Sequence, residues 1–226
     1  MAGRKFYAVK KGRTTGIYKS WEECKASVEE YPGAEYKGFS SEHEAREYLG
    51  LESRKEDKVE LPRPGYLLAY VDGSYDHSLR RYAFGCVFIL PDGRVFTQYG
   101  NGDKEAGLQQ RNVTGEMLGA MYAAKTALVN GYTGIEIRYD YQGIEKWVTG
   151  EWRSKNELTQ QYAQVMREWR GKIEISFTKV QAHANVKYNE LADQTARKGL
   201  TQGMGVPKPG RVEEMEEYLG DEDADQ

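Results

Sequence analysis

Cysteine is scarce in this chain, which has only Cys24 and Cys86 among 226 residues, and the two fall in separate segments. They offer neither a disulfide framework nor the close pairing of a zinc site, so a reducing compartment is expected, with both thiols as small apolar filler. Long apolar runs are absent as well, and nothing approaches the roughly 20 residues of a membrane-spanning helix. The opening Met1-Ala2-Gly3-Arg4-Lys5-Phe6 has no apolar signal-peptide core. A cytoplasmic protein with no membrane contact is therefore expected. With 39% hydrophobic and 30% charged residues, the composition suits one globular domain plus a smaller module.

Charge of one sign is missing at each end. No acid precedes Glu22, although Arg4, Lys5, Lys10, Lys11, Arg13 and Lys19 do, interleaved with Tyr7, Tyr18 and Trp21. Cations meet phosphates and aromatic planes pack on sugars or bases, so nucleic acid is one reading, and an ordinary solvated face with core tyrosines is the other. From Glu213 to Gln226 no cation appears, while eight acids do; the net charge of −3 therefore hides a mildly basic body. Residues 201–226, Gly/Pro-rich and then acidic, read as a disordered tail.

Punctuation divides the rest. Phe6 to Lys10 and Ile17 to Lys19 read as strands around a Gly12–Gly16 turn, and Tyr36 to Phe39 as a third. Ser20 with Glu23 and Ser41 with Glu44 have the spacing of helix-capping boxes. Residues 1–50 are thus a ββαβα module. Residues 51–65, dense in charge and closed by Pro62 and Pro64, read as a linker with an r.m.s. span of about 20 Å. Beyond them lie strands at Tyr66–Val71, Tyr82–Leu90 and Arg94–Tyr99, the last two joined by the Pro91-Asp92-Gly93 turn. A long helix near Val113–Asn130 follows, then strand Gly134–Tyr139, two helices, strand Ile173–Val180 and a helix from Tyr188 to Lys198. Strand-helix-strand crossings make the later strands parallel to the first. The expectation is an α/β fold, a mixed five-stranded sheet flanked by helices.

Four acids stand where such a fold could gather them. Asp72 ends an apolar strand, Glu116 opens the long helix, Asp140 ends the next strand, and Asp193 lies in the last helix. Each has an ordinary explanation as well: a turn for Asp72, a dipole partner for Glu116, a cap for Asp140 and a solvated helix face for Asp193. Together they could bind hard divalent cations through oxygen.

The stretches Phe6–Tyr18, Trp21–Cys24 and Tyr36–Phe39 resemble the N-terminal hybrid-binding domain of many ribonuclease H proteins and of the viroplasmin family. That resemblance implies that Tyr7 and Trp21 pack on the DNA strand of an RNA/DNA hybrid, that Lys37 holds phosphate and that the loop at Arg13 faces RNA 2′-hydroxyls. Gly38 departs from the second basic residue of many members, which implies a weaker grip on phosphate. Residues 66–200 are similar to a type 1 ribonuclease H domain, carried by Tyr70–Tyr75, Arg111–Glu116, Tyr139–Ile144, Lys179–His183 and Asn189–Asp193. The implied activity is hydrolysis of the RNA strand of hybrids, leaving 5′-phosphate and 3′-hydroxyl ends. Asp72, Glu116, Asp140 and Asp193 would hold two Mg²⁺ ions, Mn²⁺ serving as a substitute. His183 would assist proton transfer or product release, and Ser74, Asn112 and Glu116 would sense the 2′-hydroxyl, with Asn112 equally readable as a helix cap. The resemblance calls for no obligate protein partner and fits a monomer. A basic, Trp-containing protrusion common in the family is absent after Trp152, implying that the first module supplies affinity. The rival reading is a non-catalytic viroplasmin-like protein that binds hybrid or double-stranded RNA.

Overall fold

The computed structural model describes residues 6–39, 41–50, 60–180 and 187–220. The chain forms two compact units, residues 1–58 and 59–226.

In the first unit, β1 (Phe6–Lys11) pairs antiparallel with both β2 (Gly16–Tyr18) and β3 (Glu35–Phe39). Helix α1 (Trp21–Val28) follows β2, and α2 (Glu42–Tyr48) follows β3. Both caps form. Ser20 Oγ accepts from Glu23 N, while Ser41 and Glu44 exchange two bonds of 3.2 Å as a full capping box. Val9, Cys24 and Val28 make the small core, each worth about 1.5–3 kcal/mol at most when fully buried. The turn carrying Arg13 is tied to α1, since Arg13 N donates to Ser27 O (2.8 Å) and Thr14 N to Ser27 Oγ (3.0 Å).

The second unit begins with the meander β4 (Tyr66–Asp76), β5 (Arg81–Ile89) and β6 (Val95–Gly102). Then come α3 (Glu105–Gln110), α4 (Asn112–Val129), β7 (Gly134–Tyr139), α5 (Gly143–Thr149), α6 (Glu157–Arg170), β8 (Glu174–Lys179) and α7 (Lys187–Gln202). A 3₁₀ turn at Val212–Glu214 precedes β9 (Glu216–Glu217). The sheet order is β8-β7-β4-β5-β6-β9, with β7 and β8 parallel to β4. Central β4 alternates its burial: Leu67, Ala69 and Val71 join the core under α4, α5 and α6, whereas Leu68 and Tyr70 join Tyr188 and Ala192 of α7 on the other face. A strand buried on both faces reads as one continuous apolar run. Cys86 packs inside the larger core and Cys24 inside the small one, both as free thiols.

Three expectations need correction. Among the described residues the sheet has six strands, because the segment read as a disordered tail supplies β9 on the edge of β6, and Val212 is fully buried. Composition hides this, since a few anchors hold an otherwise polar stretch. Helix α3 was not foreseen and meets α4 at Arg111, whose φ is 53°. The linker is shorter than 51–65. Residues 51–59 lie outside the described residues, but Glu60 pairs with Arg138 (2.6 Å), Arg63 pairs with Glu174 (3.0 Å) and stacks on Tyr66, and Gly65 O accepts Thr133 N (2.9 Å). The charges of Glu60 and Arg63 are matched by partners on β7 and β8, while the charge-dense stretch 52–58 that suggested the linker lies outside the described residues.

Candidate active site

Register builds the centre of the site. Tyr70 lies beside Arg138 in the parallel β4–β7 pair, so two residues further along both chains Asp72 and Asp140 become neighbours. Asp72 was expected to end its strand and does not; β4 continues to Asp76, with Asp72 paired to Gly85 of β5. Glu116 lies one turn inside α4, which rests flat on the sheet because glycine stands at the crossing. A Cβ on Gly73 would strike Asn112 O and Glu116 N, and one on Gly115 would strike Ala83 O. Gly85 does the same for α7, where a Cβ would strike the Ala192 carbonyl. The packing role of these glycines was missed in the sequence, where the only signal was that Gly73 and Gly115 stand directly beside Asp72 and Glu116; Gly85 carries none.

Carboxylate oxygens of Asp72, Glu116 and Asp140 all lie within 4.8 Å of one another. Glu116 is 2% exposed, and its Oε2 has no hydrogen-bond partner among the described residues. Burial, then the charges of Asp140 and Asp72, push the Glu116 carboxyl up to about 9 against the pull of the Tyr141 amide. Burial followed by Asp140 likewise raises Asp72 to about 7, although Gly73 N donates to its Oδ1 (2.6 Å). Arg197 only partly offsets the crowding at Asp72, and Glu116 keeps an orphaned buried oxygen. A hard divalent cation with oxygen ligands fits that donor set.

Asp193 stands apart from this cluster. Arg197, one turn on in α7, grips it through Nη2–Oδ2 (2.9 Å) and Nε–Oδ1 (3.0 Å), although its charge still reaches Asp72. The expected set of four is thus three acids plus one held by an arginine. His183 lies outside the described residues. Ser74 is half-buried on β4 opposite Ala83. Asn112 is exposed and is the first residue of α4; Arg111 occupies the cap position and no side chain caps the helix, so the capping alternative for Asn112 is not what the structure shows.

Two aromatic groups flank the chemistry or belong to the first unit. Next to Asp140, the Tyr141, Trp147 and Trp152 rings lie 5.7–6.4 Å apart, with Lys146 Nζ 5.4 Å from the Trp152 ring centre. Buried Tyr139 hydrogen-bonds Glu145 and so ties the end of β7 to α5. In the first unit Tyr7 lies 5.5 Å from Trp21, and Trp21 lies 5.7 Å from Tyr36. Tyr36, 45% exposed, was overlooked beside Lys37; strand alternation puts it on the Tyr7 side of the sheet. Arg13 and Lys37 are exposed.

The RNase H family model matches residues 64–201, more than half of the chain. The chain belongs to the ribonuclease H family. A second model, the Ribonuclease H1 N-terminal domain, matches residues 5–49. Ribonuclease H1 of Mus musculus is 26% identical over 87% of this chain and 90% of its own length. Over a short stretch of 45 residues, 20% of this chain and 13% of the other, identity to Ribonuclease H of Saccharomyces cerevisiae reaches 58%. The crystal structure of RNase H1 from the halophilic archaeon Halobacterium salinarum matches with a TM-score of 0.51 and 25% identity, covering 60% of this chain and 97% of that one. As a ribonuclease H, the protein is a hydrolase of phosphodiester bonds, with its acids in the matched domain and a hybrid-binding module before it.

Proposed function

We propose that this ribonuclease H cleaves the RNA strand of RNA/DNA hybrids with two Mg²⁺ ions, leaving 5′-phosphate and 3′-hydroxyl ends. The convergence of Asp72, Glu116 and Asp140 within 4.8 Å, from two strands and a helix, carries the reading. A bound pair of divalent cations supplies an activated water and neutralises the leaving oxygen. The protein's part is to hold the acids in place. Asp72 accepts the Gly73 amide, and its carboxylate lies within 4.8 Å of those of Glu116 and Asp140, so the three would hold the ions together. Asp193 joins them by exchanging its Arg197 partner. Ser74, Asn112 and Glu116 would sense the 2′-hydroxyl, and His183 would assist proton transfer or product release. The aromatic-cationic surface at Trp152 suits a sugar-phosphate strand beside the cluster.

Labelling the RNA strand tests this directly. With Mg²⁺, cleavage of the hybrid is expected, and single-stranded RNA, RNA duplex and DNA duplex should stay intact; binding without cleavage would return the non-catalytic reading.

Metal and proton compete for the same oxygens. Because the folded-state carboxyls of Asp72 and Glu116 are raised, their protonated forms favour the metal-free fold, and that contribution is lost as pH rises from about 4 through about 7 for Asp72 and through about 9 for Glu116. Mg²⁺ should therefore raise the melting temperature by roughly 5 °C at pH 8.5 when present at about 100 times its Kd, and by much less at pH 6. Calorimetric scans at the two pH values read the difference, and an equal shift at both would count against a carboxylate site.

Trp21 gives a separate expectation. Truncating a stacking ring typically costs about 1–3 kcal/mol per base, so Trp21→Ala should raise KM roughly tenfold while kcat changes less than about twofold. Steady-state kinetics at moderate salt measure both, and an unchanged KM would remove the first module from substrate capture.

A further inference from the structure

Residues 203–220 lie beyond the matched family domain, which ends at 201, yet they are built into the fold at several points. Asn101, 5% exposed, donates to Gly199 O (2.8 Å) and Gly203 O (2.7 Å) and accepts from Gly205 N (2.9 Å), while its own amide donates to Gly205 O. Asn130, the residue ending α4, repeats the arrangement by donating to Gly210 O (2.9 Å) and accepting from Val212 N (3.2 Å). Backbone groups that lack a regular ladder are thus satisfied by two side chains.

The path of this segment matters more than its anchors. Val212 belongs to the core on the α4 face of the sheet. Glu216 and Glu217 then pair with Thr97 and Phe96 at the sheet edge. Tyr218 packs against the opposite core, with Tyr188 and Ala192 of α7, and donates its amide to Val95 O (2.8 Å). On that face Lys198 of α7 binds Glu216 through both oxygens (2.8 and 3.0 Å), and Lys187 Nζ lies 5.4 Å from the Tyr218 ring centre. The segment therefore wraps the edge and links the layer holding Glu116 to the layer holding Asp193. Asp72 is in the sheet between them.

We infer that residues 203–220 are a positioning strap that sets α7 against the sheet and so keeps Asp193 within range of the Asp72, Glu116 and Asp140 cluster. The inference rests on the metal-site reading above. Outer partners of metal ligands typically change affinity by about 10–100-fold when lost, so an effect near the lower figure is expected.

The full chain is compared with a form ending at Gly220, and with Tyr218→Ala and Val212→Ala variants. Mg²⁺ binding is followed by calorimetry without substrate, α7 amide exchange by mass spectrometry, and kcat and KM on hybrid, all well below each variant's melting temperature. Ending at Gly220 should change nothing. Tyr218→Ala and Val212→Ala should weaken Mg²⁺ binding about tenfold, speed exchange in α7 and lower kcat, with KM within about twofold. Lower melting temperatures with unchanged Mg²⁺ affinity and α7 exchange would overturn the strap as a positioning element and leave it an edge cover. Loss of Mg²⁺ affinity in the variants when the unmodified chain cleaves no hybrid would support the strap while refuting the substrate reading.

Discussion

Asp72→Asn is expected to abolish hybrid cleavage while making the metal-free protein more stable at pH 8. Asparagine keeps the size of the side chain and can still accept the Gly73 amide, so the change is one of charge. Asp72 is one of the three clustered acids, and losing a direct ligand should exceed the roughly 10–100-fold penalty seen for outer partners. The stabilising side has the opposite origin. Burial and Asp140 push the Asp72 carboxyl from 3.8 up to about 7, so above that pH the fold carries a disfavoured charge. Each pKa unit is about 1.4 kcal/mol, and allowing for relaxation a gain on the order of 2 kcal/mol, or roughly 5 °C, is expected. The variant should also lose its Mg²⁺-dependent shift in melting temperature. Cleavage above about a tenth of the original rate would show that Asp72 is not a direct ligand, and an unchanged melting temperature would show that the cluster is not strained by its charge. Active centres that store unfavourable charge in this way exchange stability for activity.

The second large effect should come from a residue with no chemistry. Gly115→Ala adds one methyl group to a helix, where alanine is intrinsically better than glycine by about 1 kcal/mol. Here that gain loses to sterics. The new Cβ would strike the Ala83 carbonyl and lie 2.8 Å from Gly73 Cα, with backbone on every side and no flexible side chain to yield. Overpacking typically costs about 1–3 kcal/mol, occasionally more, and with backbone as the obstacle the upper end applies, so the net loss should be near 2 kcal/mol. The helix can relieve the clash only by lifting away from β4 and β5, carrying Glu116 with it. A misplacement of about 1 Å can cost on the order of 100-fold in rate. Gly119→Ala is the comparator, since its Cβ would come no nearer than 3.3 Å to Val71 Cβ. Urea unfolding should show a much lower midpoint for Gly115→Ala than for Gly119→Ala with similar slopes. Equal midpoints would mean that α4 does not depend on backbone contact at this crossing.

Much of the first unit was legible because its signals are local. Ser20 and Ser41 with acids three residues on form the caps expected of them, and the strand between them follows from alternation. Apart from α3 and β9, helix and strand order in the second unit was legible for the same reason, with boundaries shifted by a few residues. Tyr36 was not, because its exposure depends on which face of a three-stranded sheet α1 covers. The tail was misread because Val212 and Tyr218 are two apolar anchors in an acidic stretch, and their value comes from cores laid down far earlier in the chain. The linker was overestimated because Glu60 and Arg63 find partners on β7 and β8, more than seventy residues away.

The four acids divide along the same line. Their residue types, and their places near strand ends and in helices, are properties of short stretches, where alternation, helical period and capping act over a few residues. From these alone the α/β order, the basic aromatic module and the candidacy of Asp72, Glu116, Asp140 and Asp193 follow. Contact among them is a different matter. Parallel register brings Asp140 beside Asp72, glycine at two crossings lets α4 set Glu116 against both, and Arg197 pairs with Asp193. Those outcomes depend on groups far apart in the chain meeting at distances of a few ångströms, where a single methyl group or an ion pair decides the geometry, and no local pattern encodes that.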